Sequence, residues 1–369
     1  MTKATTYQPM PLGDVVRFGN GKSIKPGGKG LYPVYGSNGI IGGSGEYRHE
    51  NGIIIGRVGA YCGSVAYCPE RFWASDNTLV AFPASDAFDT KFLFYLLTDA
   101  RLSRHAGGAA QPLVTQTVLK QVEVSVPPLP VQRRIAGILS AYDDLIENNQ
   151  RRIKILEQLA RSLYREWFVH FRFPGHNKVK MVPSSLGPIP HGWELKNVKE
   201  VIARRPNGQV YREENVASEG TIPVIDQSTN ELLGFHDSEP DHLATPKNPI
   251  AIFGDHTCKM QLLVEPFSIG PNVVAFESNV DRPLSYLFQL VQSLVQTQEY
   301  KRHWSQLNAK EIVLADKSTT QHFATSIQPS LQQAEVLRRA SRVLRRTRDL
   351  LLPQLLSGQV NLNSMDAIT

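Results

Sequence analysis

From Ile135 onward the chain places one stripe residue every three or four positions. Ile135, Leu139, Tyr142, Ile146, Asn149, Ile153, Leu156, Ala160, Leu163 and Trp167 advance in alternating steps of four and three. A sustained 3.5-residue period is a coiled-coil seam, so it predicts a helix of about 40 residues, a rod of roughly 60 Å. "PPLP" at 127–130 is a stiff entry with Pro130 near the first turn, and Pro174-Gly175 ends the run. Asn149 is a polar residue on the seam, the kind that fixes register. A second run, Val336, Ala340, Val343, Thr347 and Leu350, has the same spacing, with Leu337, Leu344 and Leu351 widening the stripe. Its helix is predicted to begin at Ser330, with Gln333 in capping-box position. Pro353 should kink or interrupt it, and Gly358 suits the terminating cap. Six arginines (338, 339, 342, 345, 346, 348) are expected on its solvated faces. A long rod with one apolar stripe needs a partner in water. The second helix supplies one, so an antiparallel pair is predicted. The longer rod keeps stripe to spare, which calls for helices from another protein.

Ahead of each helix the pattern changes to short β-branched and aromatic runs between Gly, Asn and Pro turns: "GIIIGRV", "SVAYC", "NTLVAF", then "PIAIF", "NVVAF", "EIVLA". These runs repeat in order. "PLGDVV" (11–16) answers "ELKNVK" (194–199), "YPVYGSNGIIG" (32–42) answers "IPVIDQSTNELLG" (222–234), and "NTLVAFP" (77–83) answers "NVVAFES" (272–278). "FLFYLL" (92–97) pairs with "YLFQLV" (286–291), and "LKQVEVSV" (119–126) with "AKEIVLAD" (309–316). In the helices "ILEQLARSL" (155–163) echoes "LLPQLLSGQ" (351–359). Ordered weak matches at nearly constant offset mark an internal duplication of a globular unit followed by a helix. The expected fold is α+β, with boundaries at 1–128, 129–175, 176–326 and 327–369. One amphipathic helix should precede the last strand of each unit, at about 90–104 and 283–300.

At 369 residues, 41% hydrophobic and 20% charged, the composition is that of a globular protein of two or more domains. No window approaches the roughly 18 apolar residues of a membrane span, and "MTKATTYQPMPLGDVV" lacks the apolar core of a signal peptide, so a cytoplasmic location is expected. Cys62, Cys68 and Cys258 have neither CxxC spacing nor a His cluster and read as small buried residues. The net charge of +6 points to a polyanionic partner. The charge is uneven, since residues 176–326 carry 14 basic against 17 acidic groups. Any nucleic-acid contact there must come from local clusters. The glycines of "FGNGK" and "GGSG" make no dinucleotide or phosphate-loop fingerprint. "NPIAIF" (248–253) lacks the second proline of a base-flipping methyltransferase motif, and Pro240-Asp241 with Glu194-Leu195-Lys196 is the wrong order for a nuclease. Asp255-His256 in "GDHTCK" is the most enzyme-like cluster, without a nucleophile or metal set beside it.

Two turn-rich α+β units, each followed by a long helix, resemble the DNA specificity subunit of type I restriction–modification systems. The resemblance is carried by "VSVPPLPVQRRIAGILSAYDDLIENNQRRIKILEQLARSLYREWF" (124–168), "SLGPIPHGWELKNV" (185–198) and "GIIIGRVGAYCGSVAY" (52–67) leading to "ASDNTLVAF". It implies a non-catalytic reader of a bipartite double-stranded DNA target, built from two target recognition domains separated by the helix pair. It further implies two adenine-N6 methylation subunits that carry the S-adenosylmethionine, with restriction subunits joining afterwards. No cofactor is expected on this chain. Loop residues able to meet DNA are Lys22, Lys25, Ser37, Asn38, Arg57, Arg101, Arg104 and Gln111 in the first unit. In the second they are Arg204, Arg205, Asn207, Gln209, His256, Lys259, Lys301, Arg302 and Asn308. Arg, Asn and Gln suit purine edges, while Lys and Ser hold phosphate. Two other readings stay open: an enzyme, nuclease or methyltransferase, acting on DNA unaided, and an adaptor that binds only proteins.

Overall fold

A computed structural model describes residues 7–25, 27, 28, 30–108, 112–228, 232–292, 294–296, 302–360 and 362. The chain forms two compact units, Met1–Asn148 with Ser341–Thr369, and Asn149–Ala340.

In the first unit β1 (Gln8–Pro11) is followed by a single helical turn, α1 (Leu12–Val15). Then come β2 (Val16–Asn20), β3 (Tyr32–Gly36), β4 (Gly39–Ser44), β5 (His49–Gly56), β6 (Val65–Ala74) and β7 (Thr78–Pro83). These six strands form one sheet in the order β2-β7-β5-β6-β3-β4. Strand alternation sorts its residues: Ile53, Ile55, Leu79 and Ala81 face a core with helix α2 (Thr90–Asp99), while Ile54 and Val80 pack on the other face with Phe72 and Cys68. Asp89 caps α2 by accepting the Phe92 N–H at 2.9 Å. The helix stops at Asp99, short of the expected 104, because Arg101 turns left-handed at φ 47°. α3 (Gln116–Lys120) and β8 (Glu123–Val126) complete the unit, and β8 pairs antiparallel with β1.

The second unit opens with β9 (Met181–Val182) and β10 (Ile189–Pro190), followed by β11 (Glu194–Asn197), α5 (Val198–Val201) and β12 (Ile202–Arg204). Strands β13 (Ile222–Ile225), β14 (Leu232–His236), β15 (Ile250–Gly254), β16 (Met260–Leu263), β17 (Ser268–Ile269) and β18 (Val273–Ser278) follow. α6 (Leu284–Val291), α7 (Trp304–Asn308) and β19 (Glu311–Leu314) close it. α6 ends at Val291, and much of the expected continuation to 300 falls outside the described residues. The pairings repeat those of the first unit. β12·β18 matches β2·β7, β15·β18 matches β5·β7, β15·β16 matches β5·β6, and β11·β19 matches β1·β8. Each Pro-Val hairpin slips register after its valine, Val34 or Val224, and its first strand also runs parallel to a third strand.

Two helices follow the two units: α4 (Leu129–Tyr164), extended by a π-turn over Arg165–Val169, and α8 (Lys317–Leu356). α8 starts well before Ser330. Asp316 caps it by accepting the Thr319 N–H and hydroxyl, and Phe323 and Ile327 pack with Tyr164, Trp167 and Phe168. That burial outweighs the poor helix propensity of the Thr/Ser-rich stretch and of Pro329. The helix also runs through Pro353 rather than breaking there. In the first unit Ile135 and Leu139 share a core with Leu355 and Leu356, and in the second Ile153 packs with Leu337, so the helices run antiparallel.

The starts of α4 and α8 are 188 positions apart (317 − 129 = 188). Shifting the α4 seam by that number gives Phe323, Ile327, Ser330, Ala334, Leu337, Ser341, Leu344, Arg348, Leu351 and Leu355. Six of these ten are buried and the other four are half-buried. The α8 seam expected from sequence is therefore one residue out of phase: Val336, Val343 and Leu350 are 58%, 64% and 52% exposed, with Ala340 and Thr347 only half-buried. On α4, Ile135, Leu139, Ile146, Asn149 and Ile153 are buried, with Tyr142, Leu156 and Leu163 half-buried. The echo between 155–163 and 351–359 is a coincidence of leucines, since 343–351 is the structural counterpart of 155–163. Of the arginines expected to be solvated, Arg338 pairs with Glu157, Arg339 with Glu265 and Arg348 with Asp143.

Candidate nucleic-acid interface

In the first unit the ends of β2, β3, β5 and β6 and the start of β7 meet at one edge of the sheet, as their registers require. The loops there are tied together by short hydrogen bonds. Ser37 Oγ donates to Asn77 O at 2.6 Å, Ser64 Oγ donates to Ser37 O at 2.7 Å, and the Arg57 N–H donates to Asn77 O at 2.9 Å. Gln116 Nε2 donates to Asn20 Oδ1 at 2.9 Å. Lys22 is fixed by its backbone, donating to Ala74 O and accepting the Trp73 indole N–H, which leaves its ammonium exposed. Asn38 is exposed at the hairpin tip, and the turn Leu102–His105, bearing Arg104 and preceded by Arg101, abuts Gly63 on the same side. Lys25 lies further along the β2–β3 loop. Gln111 lies outside the described residues.

The second unit repeats this edge. The Asp255 N–H donates to Asn272 O at 2.8 Å as Arg57 does to Asn77, and Thr257 Oγ1 donates to Gln227 O at 3.0 Å as Ser64 does to Ser37. Gly56 and Gly254 hold equivalent places, and a Cβ on either would come within 2.5 Å of a neighbouring oxygen. Only glycine fits that frame. Around it lie His256, whose N–H donates to Gln227 Oε1, and Lys259, whose ammonium donates to Ser228 O at 2.6 Å. Arg204 ends β12 and Asn207 and Gln209 follow it, while Arg302 precedes α7 and Asn308 is its last residue. Arg205 departs from expectation: its guanidinium is held by Glu277, which neutralises its charge in place. Lys301 is outside the described residues. Asn20, Ser64, Asn77, Gln116, Gln227 and Asn272 were missed as edge residues, although the asparagine opening both "NTLVAF" and "NVVAF" was a visible sign.

The buried polar groups of the second unit are structural. The Ser238 N–H donates to His236 Nδ1 at 3.1 Å, which places the ring proton on Nε2, and that nitrogen donates to Ser268 Oγ at 2.9 Å. Ser268 is fully buried, and its hydroxyl faces an imidazole nitrogen that already carries a proton and so cannot deprotonate it. Asp255 accepts the Trp304 N–H at 2.8 Å and anchors α7. Burial, with Arg205 close by, depresses the pKa of His242 despite the opposing Asp241 carboxylate. Among the described residues no group of three or more His, Cys, Asp or Glu could hold a metal ion, and no helix is long and apolar enough to cross a membrane.

The helices carry a second apolar stripe beside the seam. On α4 it includes Leu145, Ile155 and Leu159, and on α8 Val336, Val343 and Leu350, all more than half exposed. Ile155 and Val343 are structural counterparts (343 − 155 = 188); the other exposed apolar residues of the two helices do not correspond in position.

Residues 5–158 match the type I restriction modification DNA specificity domain. The chain is 24% identical over 309 residues to the type I restriction enzyme MjaIX specificity subunit of Methanocaldococcus jannaschii, covering 76% of this chain and 71% of that one. It is 30% identical over 133 residues to the EcoprrI specificity subunit of Escherichia coli, covering 36% of this chain and 33% of that one. The crystal structure of the type I restriction–modification S subunit from M. genitalium shares the fold, with a TM-score of 0.60 at 16% identity over 96% of this chain and 97% of that one. The match to the DNA specificity domain covers residues 5–158, and the chain is similar to type I restriction–modification specificity subunits in sequence and in fold.

Proposed function

We propose that this chain reads a bipartite DNA target for a type I restriction–modification complex, one half-site per globular unit, and performs no chemistry itself. One observation carries the reading: two units repeat the same strand pairings and loop ties, yet display different side chains at the same edge, Arg57 and Ser37 in one, Asp255 and Gln227 in the other. A common frame with variable edge chemistry suits two readers of unlike sequences. Lys22, Lys25, Arg101, Arg104, Arg204 and Arg302 supply phosphate contacts around the base-reading residues. The exposed apolar residues of α4 and α8 dock two methylation subunits, which carry S-adenosylmethionine and transfer its methyl group to adenine N6. Restriction subunits join that assembly. Readers that the helix pair held at one separation would sense one spacing, because each added base pair moves a half-site by about 3.4 Å and turns it by about a tenth of a revolution.

The test is reconstitution with the methylation subunits, followed by sequencing of methylated adenines. A two-part motif with one fixed spacer is expected, together with DNA affinity that falls steeply as salt rises. Methylation or cleavage by the chain alone would refute the reading, as would DNA binding that ignores salt.

A further inference from the structure

The two units share a loop frame, and in the first unit it holds an arginine whose side chain has no partner among the described residues. Arg57 is pinned through its backbone: its N–H donates to Asn77 O at 2.9 Å, and its carbonyl accepts the Val114 N–H at 3.0 Å and Cys62 Sγ at 3.2 Å. Gly56 before it cannot carry a side chain, since a Cβ would lie 2.4 Å from both Ser64 Oγ and Tyr61 O. The position of Arg57 is thus fixed from both sides. Its side chain is the reverse: among the described residues it makes no hydrogen bond or ion pair, and its Nε is removed from solvent with no acceptor. The residue is only half-buried, so the guanidinium's terminal nitrogens, with no partner among the described residues, are open to an acceptor from outside. The structural counterpart in the second unit is Asp255, whose carboxylate is engaged by the Trp304 N–H. Arg205 of the second unit also has a buried Nε without an acceptor, but its Nη1 pairs with Glu277.

We propose that Arg57 is the residue through which the first unit demands a guanine, its guanidinium fork spanning O6 and N7 in the major groove, and that the second unit, with Asp255 in that place, makes no such demand. This rests on the DNA-reading function proposed above and adds the base class and the unit that reads it. A planar fork on a rigid backbone matches two coplanar acceptors, whereas a phosphate contact needs only a positive charge and tolerates a flexible stem. The two half-sites therefore differ at this reading position.

The test compares the wild-type complex with Arg57→Ala and Arg57→Lys, each reconstituted with the methylation subunits. The substrate is a duplex library with a random central segment, read out by sequencing N6-methyladenine. Both variants are expected to relax one guanine in one half-site by roughly 10- to 100-fold, leaving the other half-site and the spacer unchanged. If Arg57 holds phosphate instead, Arg57→Lys keeps the wild-type motif and Arg57→Ala lowers methylation evenly across sequences; either result overturns the inference. An unchanged motif in Arg57→Ala does so as well. Should Arg57→Ala fail to fold, Arg57→Lys alone decides, since it keeps the charge and loses the fork. A wild-type complex with no sequence preference sinks the proposed function itself, a failure distinct from any of these.

Discussion

Adjacent residues on α8 should behave oppositely when truncated. Leu337 is 5% exposed and packs with Ile153 and Ala334, whereas Val336 is 58% exposed. Removing three carbons from a buried leucine costs about 2–4 kcal/mol, the spread depending on how far the helices close the gap. Val336→Ala removes two methyl groups that are mostly in water already. At about 0.8 kcal/mol per fully buried carbon, the loss should be about 0.5 kcal/mol. Urea unfolding of the full chain, followed by far-UV circular dichroism, separates these values. Because two units need not unfold together, the first transition is the quantity to compare. Binding to the methylation subunit should show the reverse order: Val336→Asp and Val343→Asp leave the chain folded and weaken docking at least tenfold, because a charge would enter the contact unpaired. If Val336→Ala destabilises as much as Leu337→Ala, the phase of the α8 seam described here is wrong, and the docking stripe with it.

In the first unit Asp143 accepts the Tyr95 hydroxyl at 2.5 Å and pairs with Arg348, and burial followed by the Asp143 contact holds the Tyr95 pKa far above its ordinary value. Asp143→Ala leaves the buried Tyr95 hydroxyl and the half-buried Arg348 guanidinium without this acceptor, an expected loss of about 1–3 kcal/mol in thermal or urea unfolding. The counterparts in the second unit are Leu331 and Ala160 (143 + 188 and 348 − 188), so the double variant Asp143→Leu/Arg348→Ala should recover part of that loss. Burial opposes the charge of Asp316, but hydrogen bonds from Thr319, Trp193 and Ser318 depress its pKa. Its capping contribution is therefore present at neutral pH and lost as pH falls through the depressed folded value, below about pH 4. Asp316→Ala should cost about 1 kcal/mol at pH 7, with the difference from wild type closing in acid; a gap that persists at low pH would count against the cap. Truncation after Gln328 removes Leu355, Leu356 and Leu362 from the first unit's core, so limited proteolysis should cut that unit faster as well as abolish one docking stripe.

What could be read from the chain, and what could not, divides by how local the determining interactions are. The α4 seam is legible because Ile135 through Trp167 all lie on one helix, and the duplication because each strand run keeps its own order. The phase of α8 is not legible in the same way. Val336, Val343 and Leu350 step as regularly as Leu337, Leu344 and Leu351, and only the opposing residues of α4, some 180 positions earlier, decide which set is inside. The start of α8 was hidden for the same reason. Ser330 and Pro329 look like an entry, and the burial of Phe323 and Ile327 against Trp167 and Phe168 shows only in three dimensions. Arg57 sits between the two cases. The glycines at 56 and 59 marked a tight turn in the sequence, but its significance depends on Asn77 and Val114 immobilising its backbone while no described residue hydrogen-bonds its side chain. The two stripes on α8 explain each other. A helix that packed only on α4 would need the seam alone. Selection for a second contact would keep Val336, Val343 and Leu350 apolar while they face water, and so leave the sequence with two equally good phases. On the docking proposed above, the ambiguity in the pattern is the trace of the partner.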